Sequence, residues 1–300
     1  MKTDRDSEVL IVGAGLAGLA CARHLQRGGV GCRILDRAGA VGGRVRTDRL
    51  DGFQLDRGFQ VYLTAYPAGR RELDYASLRL QQFTDGALVR KEGRFHRLAD
   101  PLRHPSAVLS TLTAPIGNPL DKLRVLGLRR RLTKTTVERI LGRPATSTET
   151  ALRERWGFSE SMIDDFFRPF IGGVTLDRSL ETSSRSFEFV IRMFSEGHAA
   201  VPALGMQAIP EQIAASLDPG TIELNAPVAE VGPGPRITLT DGRRWEGRAV
   251  VVATGQQEAV GLLDALPSRQ LPADGTNGVT CLYFAAERAP VDEATLVLNS

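Results

Sequence analysis

One local pattern near the N-terminus constrains the fold of this chain more than any other feature. Val9–Val12 is a continuous β-branched and leucine run, which is typical of a strand buried on both faces of a parallel sheet. Glycines spaced G-x-G-x-x-G follow at once, at Gly13, Gly15 and Gly18. A helix-forming stretch over residues 19–26 comes next, so the chain is expected to open with a β-α unit.

Each glycine in this pattern has a physical reason. Gly13 permits a tight turn, Gly15 lets the backbone touch a pyrophosphate, and Gly18 allows the helix to pack closely on the strand. The N-terminus of the helix then faces the anionic phosphates, which favours a dinucleotide as ligand. Gly28 and the glycine after it predict the end of the helix.

An acidic residue follows at the distance that a ribose contact needs. Residues 30–35 predict the second strand, which ends in Asp36, 23 residues after Gly13. A carboxylate there accepts hydrogen bonds from an adenosine ribose. It also repels a 2′-phosphate, which argues against NADP, although the neighbouring Arg37 weakens that argument.

A second glycine loop separates this chain from a simple NAD dehydrogenase. Gly42, Gly43 and Arg44 come shortly after Asp36. Backbone N–H groups and a guanidinium can together approach a diphosphate already held by the first loop. An ordinary surface turn with solvated arginines is the alternative.

The remainder of the chain divides into a helical middle and a β-rich end. Residues 87–90 and 94–98 predict a hairpin, and helical patterns follow to about Gly205. Thr146 and Glu149 predict a capping box. Strands return after Gly220, with an Asp-Gly turn between residues 236–240 and 243–248 and a buried run over 249–253.

Composition excludes several other classes. The chain has 300 residues, 42% hydrophobic and 24% charged, which is ordinary for a globular protein. A net charge of +3 gives no argument for nucleic acid as a partner. Three cysteines without C-x-x-C spacing predict neither a disulfide framework nor a metal site, and the N-terminal residues show no secretory signal. We therefore expect a cytoplasmic protein.

These motifs together resemble the superfamily of flavin-containing amine oxidases, protoporphyrinogen oxidases and phytoene-type desaturases. Residues 13–36 and the Gly42-Gly43-Arg44-x-x-Thr47 segment carry most of the resemblance. Residues 52–59, 168–170, 205–210 and 250–255 add to it. The resemblance implies a Rossmann-like α/β FAD-binding domain of the glutathione-reductase type, with an inserted, mostly helical α+β substrate domain.

The resemblance also implies FAD as cofactor and a set of residues that bind it. The expected FAD-binding residues contact the diphosphate and ribose, the flavin side or the adenine, or form the A-T-G turn at residues 253–255. They are Gly13, Gly15, Leu16, Ala17, Gly18, Asp36, Arg37, Gly42, Gly43, Arg44, Asp56, Gly58, Gln60, Val228, Ala253, Thr254 and Gly255. No catalytic residue is assigned, because none of the four lysines matches the context of the lysine that some relatives place near the flavin.

The predicted domains are discontinuous. Residues 1–66 and 205–262 form the FAD-binding domain, residues 67–204 form the substrate domain, and residues 263–300 begin a second substrate segment. The family normally continues further, to a Gly-Asp segment and a Gly/Ala-rich helix, which we do not find after Gly255. We therefore expect a truncated or shortened protein.

The sequence thus predicts an FAD-dependent oxidoreductase that oxidises a small, apolar or amine substrate by hydride transfer to flavin. Only one full glycine fingerprint is present, so electrons are expected to leave to oxygen, a quinone or another acceptor. The alternatives are an NAD-dependent dehydrogenase and a non-catalytic FAD-binding fragment. A basic, leucine-containing segment from Lys122 to Lys134 suggests peripheral contact with the inner face of a membrane, against the simpler reading of a solvated helix.

Overall fold

The computed structural model describes residues 9–58, 60–99, 108–263 and 276–300. The strands are β1 (Val9–Val12), β2 (Cys32–Leu35), β3 (Thr47–Leu50), β4 (Phe53–Asp56), β5 (Tyr62–Leu63), β6 (Gln81–Gln82), β7 (Ala87–Lys91), β8 (Arg94–Leu98), β9 (Ala199–Val201), β10 (Ile222–Glu223), β11 (Val228–Val231), β12 (Arg236–Leu239), β13 (Arg244–Glu246), β14 (Ala249–Val252) and β15 (Leu296–Asn299).

The helices are α1 (Leu16–Arg27), α2 (Pro67–Glu72), α3 (Tyr75–Leu78), α4 (Val108–Thr113), α5 (Pro119–Thr133), α6 (Val137–Leu141), α7 (Thr148–Thr150), α8 (Glu160–Met162), α9 (Arg168–Thr175), α10 (Ser184–Glu196), α11 (Ala208–Ala215) and α12 (Gln256–Leu263). Two π-helical turns, Ala151–Arg155 and Ile163–Phe167, follow α7 and α8.

The chain forms two compact units. The first draws its described residues from Met1–Gln60, Glu72–Arg79 and Pro202–Gly275, and the second from Val61–Arg71, Leu80–Val201 and Thr276–Ser300. Among the described residues, these limits differ from the predicted ones at 61–66 and 72–79, and also at 202–204 and 263.

Hydrogen bonding explains the differences at 61–66 and 72–79. Strand β5, at residues 62 and 63, pairs with β9 and so joins the second unit. The backbone carbonyl of Glu72 accepts a hydrogen bond from Arg23, and Asp74 is bonded to Gln212, which returns residues 72–79 to the first unit. The assignment of the units to FAD and substrate stays a prediction.

A parallel sheet organises the first unit. Its strand order is β10-β2-β1-β14, and β1 is paired in parallel with β2 on one side and β14 on the other. Leu10 and Ile11 are fully buried and point to opposite faces, as the continuous apolar run predicts. Helix α1 begins at Leu16, earlier than the predicted residue 19, and Gly28 caps its C-terminus as predicted.

The predicted hairpins are present. Strands β12 and β13 pair antiparallel in a sheet with β11, and Gly242 takes a φ of 85° in the turn that joins them. Strands β7 and β8 pair antiparallel across residues 91–94. Strand β15 adds to β7 in parallel, a pairing over long sequence distance that the sequence did not predict.

Apolar helical faces form the core of the second unit. Phe167 of the second π-helical turn and Phe187 of α10 are both 1% exposed and contact each other edge to face with ring centroids 5.9 Å apart. Leu128 and Leu132 of α5 join the same cluster. The helices of the second unit therefore pack around one shared apolar core.

The predicted capping box is wrong by one residue. Ser147, not Thr146, is the N-cap of α7, and its hydroxyl accepts the backbone N–H of Thr150 at 3.1 Å. Glu149 does not reach back to the cap, because its carboxylate pairs with Arg153 and Arg168. Two stronger charge pairs thus replace the predicted backbone contact.

Candidate dinucleotide site

The candidate site lies at the carboxyl ends of β1, β2 and β14. Strand order reverses around β1, and ligands of open α/β sheets bind at such a switch point. Two backbone hydrogen bonds join the three strand ends: the Gly13 N–H donates to the Leu35 carbonyl at 2.8 Å, and the Ala253 N–H donates to the Val12 carbonyl at 2.8 Å. Gly13, Asp36 and residues 253–255 are therefore brought together.

Protein packing explains two of the three fingerprint glycines. Gly13 has a φ of +110°, and a Cβ there would lie 2.9 Å from the Ala253 carbonyl oxygen. A Cβ on Gly18 would overlap the Gly13 carbonyl oxygen. The close helix-on-strand contact that the spacing predicts for Gly18 is thus present.

Gly15 differs, because no protein atom requires it to be glycine. Its backbone is extended, with a φ of −73° and a ψ of 177°, and a Cβ would meet nothing within 4 Å. Gly15 is the N-cap of α1, whose N-terminus receives no side-chain cap and has no acid in its first turn. The exposed Leu16 and Ala17 begin that turn. The arrangement leaves room and backbone donors for an anion.

The second glycine loop lies against the first. The Gly42 N–H donates to the Ala14 carbonyl at 2.9 Å, and Gly15 and Gly42 form a parallel β-bridge. Gly43 has a φ of +59°, and a Cβ on it would approach the Gly15 Cα to 3.3 Å. The two loops therefore present adjacent backbone, as the sequence analysis expects. The exposed Arg44 follows directly.

Asp36 holds the first loop and keeps acceptor capacity. One carboxylate oxygen accepts the Ala14 N–H at 2.6 Å and the other accepts the Ala38 N–H at 2.7 Å. A carboxylate offers about four lone-pair sites, so two remain for a ribose. The contact with Ala14 gives Asp36 a structural role that spacing alone did not predict.

Arg37 faces a carboxylate of α12. Its guanidinium lies 3.2 Å from Glu258, in an exposed ion pair. A Cβ on Gly255 would approach the same carboxylate to 2.5 Å, so Glu258 lies over the A-T-G turn. The Thr254 hydroxyl donates to the Gly255 carbonyl at 3.2 Å. Sequence reasoning missed Glu258, which has no motif of its own.

Val228 begins β11, just after the loop that runs beside Asp36. The Ala226 N–H donates to the Asp36 carbonyl at 2.8 Å, and the Asn225 N–H donates to the Ala38 carbonyl at 3.0 Å. A register shift follows Val228 in its pairing with β12. Val228 thus lies two residues after Ala226, which is hydrogen-bonded to the Asp36 backbone. The resemblance implies an adenine contact at Val228.

The candidates for the flavin side have structural partners. The Asp56 carboxylate accepts the Thr47 hydroxyl at 2.5 Å and the Met206 N–H at 2.8 Å, which ties β3 and β4 to the segment before α11. Gln60 donates from Nε2 to the Arg44 carbonyl at 3.1 Å, and Gly58 has a φ of +91°. A place beside an isoalloxazine stays a prediction for all three.

The parallel sheet, its switch point and the two adjacent glycine loops define a dinucleotide-binding α/β protein. The model of the family described as flavin containing amine oxidoreductase matches residues 16–299. The chain belongs to this family. The predicted superfamily and fold class and FAD as cofactor are thereby confirmed, and the family is one of oxidoreductases.

Among characterised relatives, protoporphyrinogen oxidase 2 of Arabidopsis thaliana is 27% identical over 168 residues, 56% of this chain and 32% of the relative. A solved oxidoreductase of Methanosarcina mazei has a TM-score of 0.64 at 19% identity, covering 87% of this chain and 62% of that one. Putrescine oxidase bound to putrescine has a TM-score of 0.59 at 20% identity, covering 82% and 57%. The chain thus spans about a third of the plant enzyme and under two thirds of either structure.

Within the described ranges, no helix has both the length and the apolar character needed to cross a bilayer. In the same part of the chain, no three His, Cys, Asp or Glu side chains are grouped as metal ligands. The cysteines at 21, 32 and 281 are free thiols. Burial raises the pKa of the Cys21 thiol, and it is the largest cause that raises the pKa of Cys32.

Proposed function

We propose that this chain holds the adenosine and diphosphate part of FAD in an oxidoreductase, at the two glycine loops. One observation supports this most: Gly15 is glycine although protein packing leaves its Cβ position open. A glycine that is not needed by the protein is explained by a ligand that approaches its backbone closely. The uncapped α1 N-terminus beside it supplies the positive end of the helix dipole.

Each residue has a separate task in this proposal. The backbone of Gly15 and of the first turn of α1 binds the diphosphate, and Gly43 and Arg44 contact it from the second loop. The two remaining acceptor sites of Asp36 bind the ribose hydroxyls. Val228 meets the adenine through its backbone. The first unit would then be the FAD-binding domain and the second unit the substrate domain.

Bound FAD supplies an electron sink for a hydride leaving a substrate carbon, so no protein base is required. The chain's own contribution is to fix the cofactor and exclude the NADP type of nucleotide. Asp36 repels a 2′-phosphate, and Arg37 is engaged by Glu258 rather than free to bind one. This combination favours FAD over NADP.

We infer a small-molecule substrate, apolar or amine in character, with oxygen, a quinone or another acceptor reoxidising the flavin. The relatives' names point to different compounds, a protoporphyrinogen and putrescine, so neither is transferred to this chain.

Absorbance of the purified protein, with and without added FAD, tests the proposal. We expect bands near ~375 and ~450 nm that persist after gel filtration. Gly15→Val should abolish retention while leaving the fold intact, because the protein leaves space for the side chain. Gly278→Val is the matched control, since a Cβ there also meets nothing within 4 Å. Equal retention in both variants would place the diphosphate elsewhere.

The alternatives give different results in the same assay. An NAD-dependent dehydrogenase would retain NAD and show no flavin bands. A non-catalytic FAD-binding protein would retain FAD, but no apolar or amine substrate would reduce an artificial acceptor.

We also propose a peripheral contact of α4 and α5 with an anionic membrane. Leu109 and Leu123 are 73% and 63% exposed, while Arg130 and Arg131 offer positive charge on the same helix pair. Co-sedimentation with phosphatidylglycerol vesicles should weaken in Leu123→Ser and not in Leu50→Ser, a control on β3 that is 59% exposed. A cytoplasmic location stays a prediction.

A further inference from the structure

We propose that the second unit contains a separate binding site for a phosphate group, in a cavity built from arginines. The cavity has a volume of about 340 Å³ and is lined by Arg131, Arg143, Pro144, Arg155 and Trp156. All of these residues belong to the second unit, whereas the glycine loops belong to the first. Nothing in the proposed oxidation uses them.

Three separate segments bring the lining residues together. Arg131 lies in the last turn of α5, and Arg143 follows the C-cap of α6. Arg155 ends the π-helical turn after α7, and Trp156 is the C-cap of that turn. The backbone N–H of Trp156 donates to the Ala151 carbonyl at 3.0 Å. Single π-helical turns occur frequently at functional sites, because the extra residue redirects side chains.

A buried carboxylate fixes two of the arginines. Glu188 of α10 is fully buried, and its two oxygens pair with Arg143 and with Arg155, the second at 2.8 Å. The whole side chains of Arg143 and Arg155 are 27% and 31% exposed, so neither is closed off from solvent. Glu188 thus orients two planar donors whose forks suit an oxyanion.

Positive charge in this cluster exceeds what Glu188 neutralises. Three guanidinium groups face one carboxylate, which leaves two positive charges. Within the described ranges, no ion pair is recorded for Arg131; its guanidinium instead lies 5.8 Å from the centre of the Trp156 ring. A phosphate monoester carries nearly two negative charges at neutral pH and matches this excess.

The tryptophan supplies an unused donor. The Trp156 indole N–H is buried and has no hydrogen-bond partner. An unpaired buried donor is costly, so a small rearrangement that gives it an acceptor is favourable. Phosphate oxygens entering the cavity are acceptors of this kind, and they also reach the three guanidinium groups. A free metabolite or a lipid headgroup could carry the phosphate.

Trp156 fluorescence provides the test, in a Trp245→Phe background where it is the remaining tryptophan. The protein is saturated with FAD so that the probe cannot enter the glycine loops, and sodium chloride of equal ionic strength serves as the salt control. Inorganic phosphate is titrated first. Glycerol 3-phosphate and dihexanoyl phosphatidic acid below its micelle concentration then distinguish a soluble ligand from a headgroup.

We expect a saturable change in emission with phosphate. Arg131→Gln should weaken the apparent affinity by about tenfold or more, since a charge-assisted contact is lost. Arg131 is outside the Glu188 ion pairs, so this variant should fold. Arg130→Gln, one residue away on the exposed side of α5, should leave the affinity unchanged.

Two results would overturn the proposal. One is the absence of a saturable response to all three probes beyond the salt control. The other is an equal loss of affinity in the variants at 130 and 131, which would indicate general attraction by the basic helix. Because the titration of the folded Trp245→Phe protein with its intact cavity is decisive by itself, the test does not depend on the stability of a cavity variant.

Discussion

The glycine loops of the first unit and the arginine cavity of the second both offer positive charge, but they do so with different parts of the chain. At Gly15 and Gly43 the proposed donors are backbone N–H groups, so a side chain there would block the ligand. Around Glu188 the donors are guanidinium groups, so long side chains must be held in place. The first kind of site is sensitive to added atoms, and the second is sensitive to lost charge.

The largest effect is expected from adding atoms where the first unit has no space. Gly18→Val forces a side chain into the Gly13 carbonyl and should lower the free energy of unfolding by about 3 kcal/mol or more. Chemical denaturation followed by circular dichroism measures this change. Gly15→Val should unfold close to the wild type, and an equal loss in both variants would contradict the distinction between packing and ligand glycines.

Removing the buried charge of Glu188, which orients two arginines of the second unit, should lower the free energy of unfolding somewhat less. Glu188→Gln leaves Arg143 and Arg155 without their buried counterion, so the free energy of unfolding should fall by about 2–3 kcal/mol. The same change should tighten phosphate binding, because no negative charge remains in the cavity. Denaturation and the Trp156 titration measure the two effects, and weaker phosphate binding in a folded Glu188→Gln protein would contradict the cavity's charge balance.

A buried carboxylate away from the cavity gives a pH dependence. Burial raises the pKa of the Asp121 carboxyl, but hydrogen bonds from Asn118, Ser159 and Arg124 outweigh it and leave the pKa below its ordinary value. Its contribution to stability is therefore complete above about pH 4 and is lost as the pH falls through the lowered pKa.

Asp121→Asn tests this contribution. The variant should be about 2 kcal/mol less stable at pH 7 because the buried charge-assisted hydrogen bonds to Ser159 are lost. The difference from the wild type should shrink as the pH falls below about 4. Denaturation at a series of pH values measures this, and a constant difference would exclude Asp121 as the titrating group.

The smallest effect concerns the N-cap of α7. Ser147→Ala should cost about 1 kcal/mol, because the Thr150 N–H loses its acceptor. Thr146→Ala should cost less, since its hydroxyl only contacts the Ser184 hydroxyl at 3.3 Å. Thermal unfolding of both variants measures the difference. A larger loss at Thr146 would restore the capping box that the sequence pattern predicts.

Features that depend on residues close together in the sequence could be predicted, and features that depend on residues far apart could not. Gly13, Gly15, Gly18 and Asp36 are local, and a β-α-β unit has few ways to arrange them. Spacing alone therefore indicated that these four residues lie close together. Glu258, which faces Arg37, comes from a helix more than two hundred residues later and carries no motif.

The cavity arginines show the same limit on prediction from local sequence. Arg131 is one of 38 basic residues in the chain, and nothing local distinguishes it from Arg130. Its role is visible only when α5, the loop after α6, the π-helical turn and α10 are folded together. The predicted cap at Thr146 failed for a partly related reason, because the Glu149 carboxylate pairs with Arg168, 19 residues away, as well as with the neighbouring Arg153.

The sequence by itself determined the parallel β-α-β opening, the acid at its second strand and the family to which the chain belongs. These depend on backbone sterics and short spacings, which neighbouring residues decide among themselves. Only the tertiary structure decided that Gly15 faces open space while Gly18 does not, that Asp36 also holds Ala14, and that three scattered arginines share one cavity. Those facts depend on which atoms meet across long stretches of chain, and packing of the whole chain sets them.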